Sequence, residues 1–168
     1  ICFSHLDGVA RIVKDAIRAA GGLPFEIRTT APSDFIFMGC GGGYILGSRD
    51  LVVNDIEVPI EGALLDGMIC LSSCDKTPPA HLMAAGRMNI PSILVICGYQ
   101  PNGTFEGEVV DLEDVWYGSV QQSFGNLSAE KLKGMTENAV RGPGVCAGMA
   151  TANSMHVVCE ALGMTLPG

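Results

Sequence analysis

Three cysteines in this sequence are candidates for metal chemistry, because each begins a polar or glycine-rich turn. Cys2, Cys74 and Cys146 are evenly spaced, with 72 positions from each to the next. Cysteine thiolates are the usual ligands of iron–sulfur clusters. Three of them, brought together by folding, would leave one iron coordination position open. An open iron is a Lewis acid, so the pattern favours catalysis over electron storage.

The central cysteine begins a run of three reactive side chains, Cys74-Asp75-Lys76. Asp75, together with Asp34 in an upstream loop, offers the carboxylate oxygens that suit Mg²⁺. Lys76 is a candidate general base or phosphate contact. After reaction with CO₂ it would become a carbamate, which is an anionic oxygen ligand. The alternative is a surface turn with an incidental cysteine, and single aspartates are more often caps or turn residues.

The other two cysteines have weaker local signals. The glycines around Cys146, in residues 142–148, would let the backbone approach a bulky cofactor, although a tight helix-entry turn explains them equally well. Cys2 and His5 have a spacing that suits metal binding. Cys40 lies in a glycine loop and is ambiguous. The remaining cysteines and histidines are predicted to be structural: Cys70, Cys97, Cys159, His81 and His156.

The composition limits the class of protein. The 168 residues fit one domain, and 48% hydrophobic with 17% charged residues supply a core. A net charge of −8 argues against nucleic acid or an anionic membrane as partner. Seven cysteines are an odd number without the spacing of a disulfide framework. With no signal segment and no long apolar run, we expect a cytoplasmic protein. Because it begins at Ile1, we expect a piece of a longer chain.

The hydrophobic pattern predicts an α/β domain. Helices are predicted at 5–20, 48–65 (with Ser48 as N-cap and Pro59 as a kink or break), 79–88, 111–124, 128–140 and 150–162, and strands at 25–30, 67–72 and 91–97. Residues 67–97 form a βαβ unit, which implies a parallel sheet. Cys74 follows its first strand, and Asp34 follows another predicted strand. Open α/β sheets bind ligands at that edge.

Several motifs, in order and nearly end to end, resemble those of the dihydroxy-acid dehydratase/6-phosphogluconate dehydratase family, the iron–sulfur dehydratases of hydroxy acids. They are Cys2-x-x-His5-Leu6, Pro32-Ser-Asp34, Ser73-Cys-Asp-Lys-Thr-Pro-Pro79, Gly142-Pro-Gly-Val-Cys-Ala-Gly-Met149 and Thr151-Ala-Asn-Ser-Met155. The resemblance implies that residues 1–168 form a three-layer α/β/α domain with a mainly parallel sheet, the N-terminal domain of a larger two-domain enzyme.

The resemblance also implies a set of site residues. Cys2, Cys74 and Cys146 would bind a [2Fe–2S] cluster, or [4Fe–4S] in some members, while Asp34, Asp75 and a carbamylated Lys76 would bind Mg²⁺. The catalytic base would be a serine of a C-terminal β-rich domain outside this sequence, so we expect the piece alone to be inactive. The sequence departs from the family pattern at 40–43, at Pro59 and at Ala80-His81.

The implied reaction is dehydration of a 2,3-dihydroxy carboxylate to a 2-keto acid by a homodimeric enzyme. The Ser-Asp form of the metal loop favours the dihydroxy acids of branched-chain amino acid biosynthesis. A sugar-acid dehydratase acting on aldonates or 6-phosphogluconate is the alternative within the family. A non-catalytic iron–sulfur module is the alternative from another class, and it would have no need of Asp34 or Lys76.

Overall fold

The first helix leads into a segment that is not a strand. In the computed structural model, which describes residues 2–33 and 43–168, α1 spans Leu6–Ala19. The predicted helix is confirmed, and Gly21, at φ +86°, ends it. The predicted strand at 25–30 is wrong, because this segment has no regular structure. Phe25 is 63% exposed, so the alternating pattern has no sheet face to bury.

The second helix begins earlier than predicted. Helix α2 spans Gly43–Gly62 and continues through Pro59 without a break. Ser48 is therefore not an N-cap: it lies inside the helix, buried, and its hydroxyl donates a hydrogen bond to the carbonyl oxygen of Ile45 at 2.7 Å. A serine within a helix commonly bonds to the preceding turn in this way. The sequence prediction that Ser48 begins this helix is therefore wrong.

A βαβ unit forms the centre of the domain, as predicted. Strand β1 spans Met68–Ser72, helix α3 spans Thr77–Met88 and strand β2 spans Ser92–Ile96. The two strands pair in parallel, from Met68 with Ser92 to Ser72 with Ile96. The α/β class and the parallel sheet are confirmed, and this sheet has two strands within the described residues.

Two apolar clusters hold the layers together. The larger cluster joins α2 to α3 through valines, isoleucines and small alanines: Val52, Val53, Ile56, Ile60, Ala80 and Ala84. The alanines let the two helices pack closely. The smaller cluster consists of Cys70, Leu94 and Cys159, which confirms that Cys70 and Cys159 are buried apolar residues.

The second half of the chain adds a hairpin and three helices. Strands β3 (Gly103–Phe105) and β4 (Glu108–Val110) pair antiparallel in a region predicted as loop. Their turn residues, Glu106 and Gly107, both have positive φ, as tight hairpins require. The three predicted helices are confirmed as α4 (Leu112–Ser123), α5 (Ala129–Asn138) and α6 (Thr151–Ala161). Among the described residues, no helix combines the length and the apolar character needed to cross a bilayer.

Candidate functional site

The turn after β1 buries three reactive side chains. Cys74, Asp75 and Lys76 are 7%, 8% and 5% exposed. The Thr77 hydroxyl accepts a hydrogen bond from the Ser73 amide at 2.9 Å and donates to the Ser73 carbonyl, which closes the turn. Cys74 has a φ of +62°, the left-handed conformation that side chains disfavour. The burial of all three side chains shows that this is not a surface turn.

Within this turn the lysine and the aspartate pair with each other. The Lys76 ammonium donates a hydrogen bond to Asp75 Oδ2 in a close ion pair. Buried charges need such partners, because leaving water is costly. The Sγ of Cys74 lies within hydrogen-bonding distance of Asp75 Oδ1, at 3.3 Å. A thiol, a carboxylate and an amine thus meet at the carboxyl end of a parallel strand.

The N-terminal turn is tied to the ends of both strands. The Ser73 hydroxyl donates to the carbonyl oxygen of Cys2 at 2.6 Å, and both residues are buried. His5 Nε2 donates to the carbonyl oxygen of Cys97, just past β2, at 3.0 Å. These two bonds place Cys2 beside Cys74, although 71 residues separate Cys2 from Ser73 in the chain.

Cys2 and Cys74 form a hydrogen-bonded thiol pair. A hydrogen bond with Cys74 lowers the pKa of the Cys2 thiol, against the opposing effect of burial. The same bond, together with burial, raises the pKa of Cys74 far above its usual range. The pairing therefore favours a thiolate on Cys2 and a thiol on Cys74, and the thiolate is the form that binds metals. Every described cysteine is free, so none is held in a disulfide.

Cys146 lies in a loop that docks against the segment after β2. The Gln100 amide donates to the Val145 carbonyl at 2.8 Å, and the Val145 amide donates to the Gly98 carbonyl at 3.0 Å. Burial raises the pKa of Cys146 to about 11, and the negative charges of Cys2, Glu113 and Asp75 add to the rise. Cys146 therefore lies within electrostatic range of the other site residues.

Of the predicted ligands within the described residues, Cys2, Cys74, Asp75 and Lys76 lie near the end of β1, and Cys146 lies within their electrostatic range. Across residues 2–33 and 43–168, no three His, Cys, Asp or Glu side chains are close enough together to hold a metal ion. Two thiols in contact and a third nearby are nevertheless a donor set suited to an iron–sulfur cluster. Asp34 and Cys40 lie outside the described residues, so their roles stay predictions.

The two histidines that were predicted to be structural are buried. His81 Nδ1 lies 2.6 Å from the Ser72 hydroxyl, at the end of β1. Burial lowers the pKa of His81 to about 4, so its ring is neutral under ordinary conditions. Burial also lowers the pKa of His156 in α6. Both rings therefore behave as core residues.

Sequence reasoning missed several residues that surround Cys146. Gly144 has a φ of +129°, and a Cβ there would lie 2.6 Å from the Tyr99 carbonyl carbon. Position 144 therefore needs a glycine because the backbone near Tyr99 lies so close to it, and the motif alone does not reveal this contact. A Cβ at Gly148 would lie 2.1 Å from the Glu113 carboxylate, which faces the loop. The glycine-rich motif marks this loop in the sequence, but it does not predict that a glutamate of α4 faces the loop.

The geometry defines the class: an α/β domain with cysteines and a buried Asp–Lys pair at one edge of its parallel sheet. The chain belongs to the family described as Dihydroxy-acid/6-phosphogluconate dehydratase N-terminal, whose sequence profile matches residues 1–168. The family predicted from the motifs is thereby confirmed.

Two curated relatives are similar to almost the whole chain. A dihydroxy-acid dehydratase of Methanococcoides burtonii is 47% identical over 165 residues, or 98% of the chain. A dihydroxy-acid dehydratase of Sulfurisphaera tokodaii is 42% identical over 168 residues, or 99% of the chain. Each match covers 30% of the relative, so the chain spans about a third of the length of these proteins.

Proposed function

We propose that this chain is the cluster- and magnesium-binding part of a hydro-lyase that converts a 2,3-dihydroxy carboxylate to a 2-keto acid. Family membership and the names of both relatives support the proposal. The observation that carries it is the Cys2–Cys74 thiol pair beside the buried ion pair of Asp75 and Lys76. A cytoplasmic homodimer, as the family resemblance implies, is part of the proposal.

Cys2, Cys74 and Cys146 are the proposed ligands of an iron–sulfur cluster, [2Fe–2S] by the family resemblance. When bound, such a cluster supplies a Lewis-acidic iron that favours departure of a hydroxyl group. The chain favours a thiolate at Cys2, because the hydrogen bond with Cys74 lowers the pKa of that thiol. Burial of Cys74 shields that side of the site from water.

Asp34, Asp75 and Lys76 are the proposed Mg²⁺ ligands. A bound magnesium ion supplies positive charge for the substrate carboxylate and C2 hydroxyl. Lys76 is now paired with Asp75 as an ammonium. To become a carbamate, the ammonium must lose one proton. Its neutral Nζ must then form a bond to the carbon of CO₂ and release a second proton, which leaves one negative charge on the carbamate. That change frees Asp75 from its cationic partner, so both residues become anionic ligands together.

The reaction removes the C2 proton and the C3 hydroxyl. The C2–H electrons form the C2–C3 double bond, and hydroxide leaves from C3 and takes up a proton to become water. The resulting enol gains a proton at C3 and loses the proton of its C2 hydroxyl, which gives the 2-keto acid. The family resemblance assigns the base to a serine outside this sequence. The described residues would therefore bind and orient the reacting carbon atoms, while the proton acceptor comes from elsewhere in the protein.

Both relatives carry the name dihydroxy-acid dehydratase, which favours branched dihydroxy acids as substrates. The family description also names 6-phosphogluconate dehydratase, which keeps a sugar acid as the second candidate. The test is anaerobic reconstitution of the natural full-length protein with iron and sulfide, with Mg²⁺ added. Keto acid formation from 2,3-dihydroxy-3-methylbutanoate is then compared with formation from 6-phosphogluconate, and faster turnover of the former is expected.

Two variants separate catalysis from a non-catalytic cluster module. Lys76→Ala should keep its iron and sulfide but lose more than about a hundredfold in activity, because the metal site loses a ligand. Cys74→Ser should lose the cluster itself. The control is Lys133→Ala, at an exposed lysine of α5 paired with Glu137. Full activity in Lys76→Ala, or a full cluster in Cys74→Ser, would contradict the proposal.

A further inference from the structure

Two side-chain amides hold the loop that carries Cys146. Asn153, in the first turn of α6, donates its Nδ2 to the carbonyl oxygen of Cys146 at 2.8 Å and to that of Gly148 at 2.5 Å. Gln100 donates its Nε2 to the carbonyl oxygen of Gly144 at 3.0 Å. The carbonyl groups at 144, 146 and 148 are thus each held by an amide donor.

The orientation of the Asn153 amide follows from its partners. Both partners are carbonyl oxygens, which only accept hydrogen bonds, so the NH₂ group must face them. The two N–H bonds of one nitrogen thereby fix two carbonyl groups on either side of Ala147. A single side chain sets the path of the backbone from the cysteine to the glycine.

The burial of Gln100 shows that its role is specific. Gln100 is only 1% exposed, and its Oε1 has no hydrogen-bond partner among the described residues. An unpaired buried oxygen lowers stability, so an apolar side chain would suit the core better. What Gln100 contributes is its Nε2 donor to the Gly144 carbonyl, two residues before Cys146.

Cys146 depends on such donors more than the other cysteines do. Cys2 and Cys74 are buried beside a strand end, whereas Cys146 is half-buried on a loop without regular structure. We propose that Asn153 and Gln100 are positioning residues that fix the Cys146 thiol for metal binding. The inference rests on the proposed function only in taking Cys146 as a ligand.

The first test measures the reactivity of Cys146 in the cluster-free, full-length protein. Iodoacetamide labels the thiols, and mass spectrometry compares the Cys146 peptide with the Cys74 peptide. Asn153→Ala removes two hydrogen bonds and should raise the Cys146 rate about tenfold, and Gln100→Met removes one and should raise it about threefold. The Cys74 rate should change less than about twofold.

The matched control is Ser154→Ala. Ser154 donates to the Met149 carbonyl at 2.9 Å, so it holds the same turn but beyond the Cys146 and Gly148 carbonyls. This variant should leave the Cys146 rate unchanged. Equal rates in Asn153→Ala and Ser154→Ala would overturn the proposal. So would a parallel rise at Cys74 and Cys146, which means general loosening. If Asn153→Ala fails to fold, Gln100→Met takes its place. A Cys146 rate equal to that of Ser154→Ala, or a parallel rise at Cys74, would then overturn the proposal.

The second test uses the reconstituted protein. Asn153→Ala should shift the electron paramagnetic resonance spectrum of the reduced cluster, while Ser154→Ala should leave it unchanged, because only the former moves a ligand. An unshifted spectrum in Asn153→Ala would contradict positioning. Cys146→Ser tests the proposed function separately: an undiminished iron content there would remove Cys146 from the ligand set, while the labelling rates would still report on the amides.

Discussion

The two sides of the candidate site are built differently. On one side, Cys2 and Cys74 are buried, and the hydroxyl of Ser73 at the end of β1 holds the Cys2 carbonyl. On the other, Cys146 lies half-buried on a loop held by the amides of Asn153 and Gln100. The backbone differs too: the first side accepts a left-handed cysteine, and the second places a glycine at its left-handed position. At the strand end the hydroxyls that hold the turn come from its own neighbours, Ser73 and Thr77, whereas the Cys146 loop is held by amides from other segments.

Gly144→Ala should break the loop side most severely. Its Cβ would lie 2.6 Å from the Tyr99 carbonyl carbon, and its φ of +129° disfavours any side chain. We expect a loss of about 3 kcal/mol in the free energy of unfolding, measured by urea denaturation. Gly142→Ala is the control, because its Cβ would meet only the Pro101 ring, at 3.2 Å. Equal losses in the two variants would contradict this account of the docking.

Acid should lower the free energy of unfolding through His81, which lies beside Ser72 at the end of β1. Burial lowers the pKa of His81 from 6.5 to about 4. The unfolded chain therefore binds a proton below about pH 6.5 that the folded chain does not, so stability is full above that pH. It should fall by about 3 kcal/mol as the pH drops toward 4. Urea denaturation at several pH values should show this slope in the natural protein and a shallower one in His81→Gln. Identical slopes would exclude His81 as the cause.

Glycine substitutions should distinguish the two backbones. Cys74 has a φ of +62°, so Cys74→Gly should be about 1 kcal/mol more stable than Cys74→Ala, although both lose the thiol. Cys146 is not among the residues with positive φ, so Cys146→Gly should be no more stable than Cys146→Ala. Thermal unfolding of the four cluster-free proteins measures both differences. If glycine is more stable than alanine at both positions, the proposed difference between the two backbones is wrong.

The smallest expected effect concerns the charge beside Cys146. The Glu113 carboxylate contributes to the raised pKa of Cys146, so Glu113→Gln should lower that pKa and speed iodoacetamide labelling at pH 9 about twofold. Glu160→Gln, an exposed position of α6, is the control. No change in Glu113→Gln, or the same change in both variants, would show that the carboxylate has no influence on the thiol.

The fold could be predicted where local patterns and tertiary packing agree. Helices α1, α4, α5 and α6 follow from periodicity and from caps such as Asp111 and Ser128, whose side chains accept backbone hydrogen bonds at the helix starts. Strand pairing is harder to predict, because it depends on distant partners. The 25–30 segment alternates like a strand without pairing, and the Glu106-Gly107 turn was not recognised as a hairpin.

The site was predictable in part for the same reason. Cys74 and its neighbours follow a buried strand, so the βαβ pattern alone places them at the ligand-binding edge. The amide of Gln100 reaches Gly144 across 44 residues, and Glu113 approaches Gly148 from α4. A single glutamine or glutamate on a loop or a helix has no periodic signature, and its partner appears only when two loops dock.

The hydrogen bond between Ser73 and Cys2 has a consequence for synthesis of the protein. Ribosomes add roughly 5–20 residues per second, so Cys2 waits about 7–30 s before Cys146 is made. During that interval the nascent chain carries the Cys2 thiol without the rest of the site around it. A metal site that uses all three cysteines can be completed only after the third is made, and the bond to Ser73 can bury the first cysteine as soon as the turn after β1 has folded.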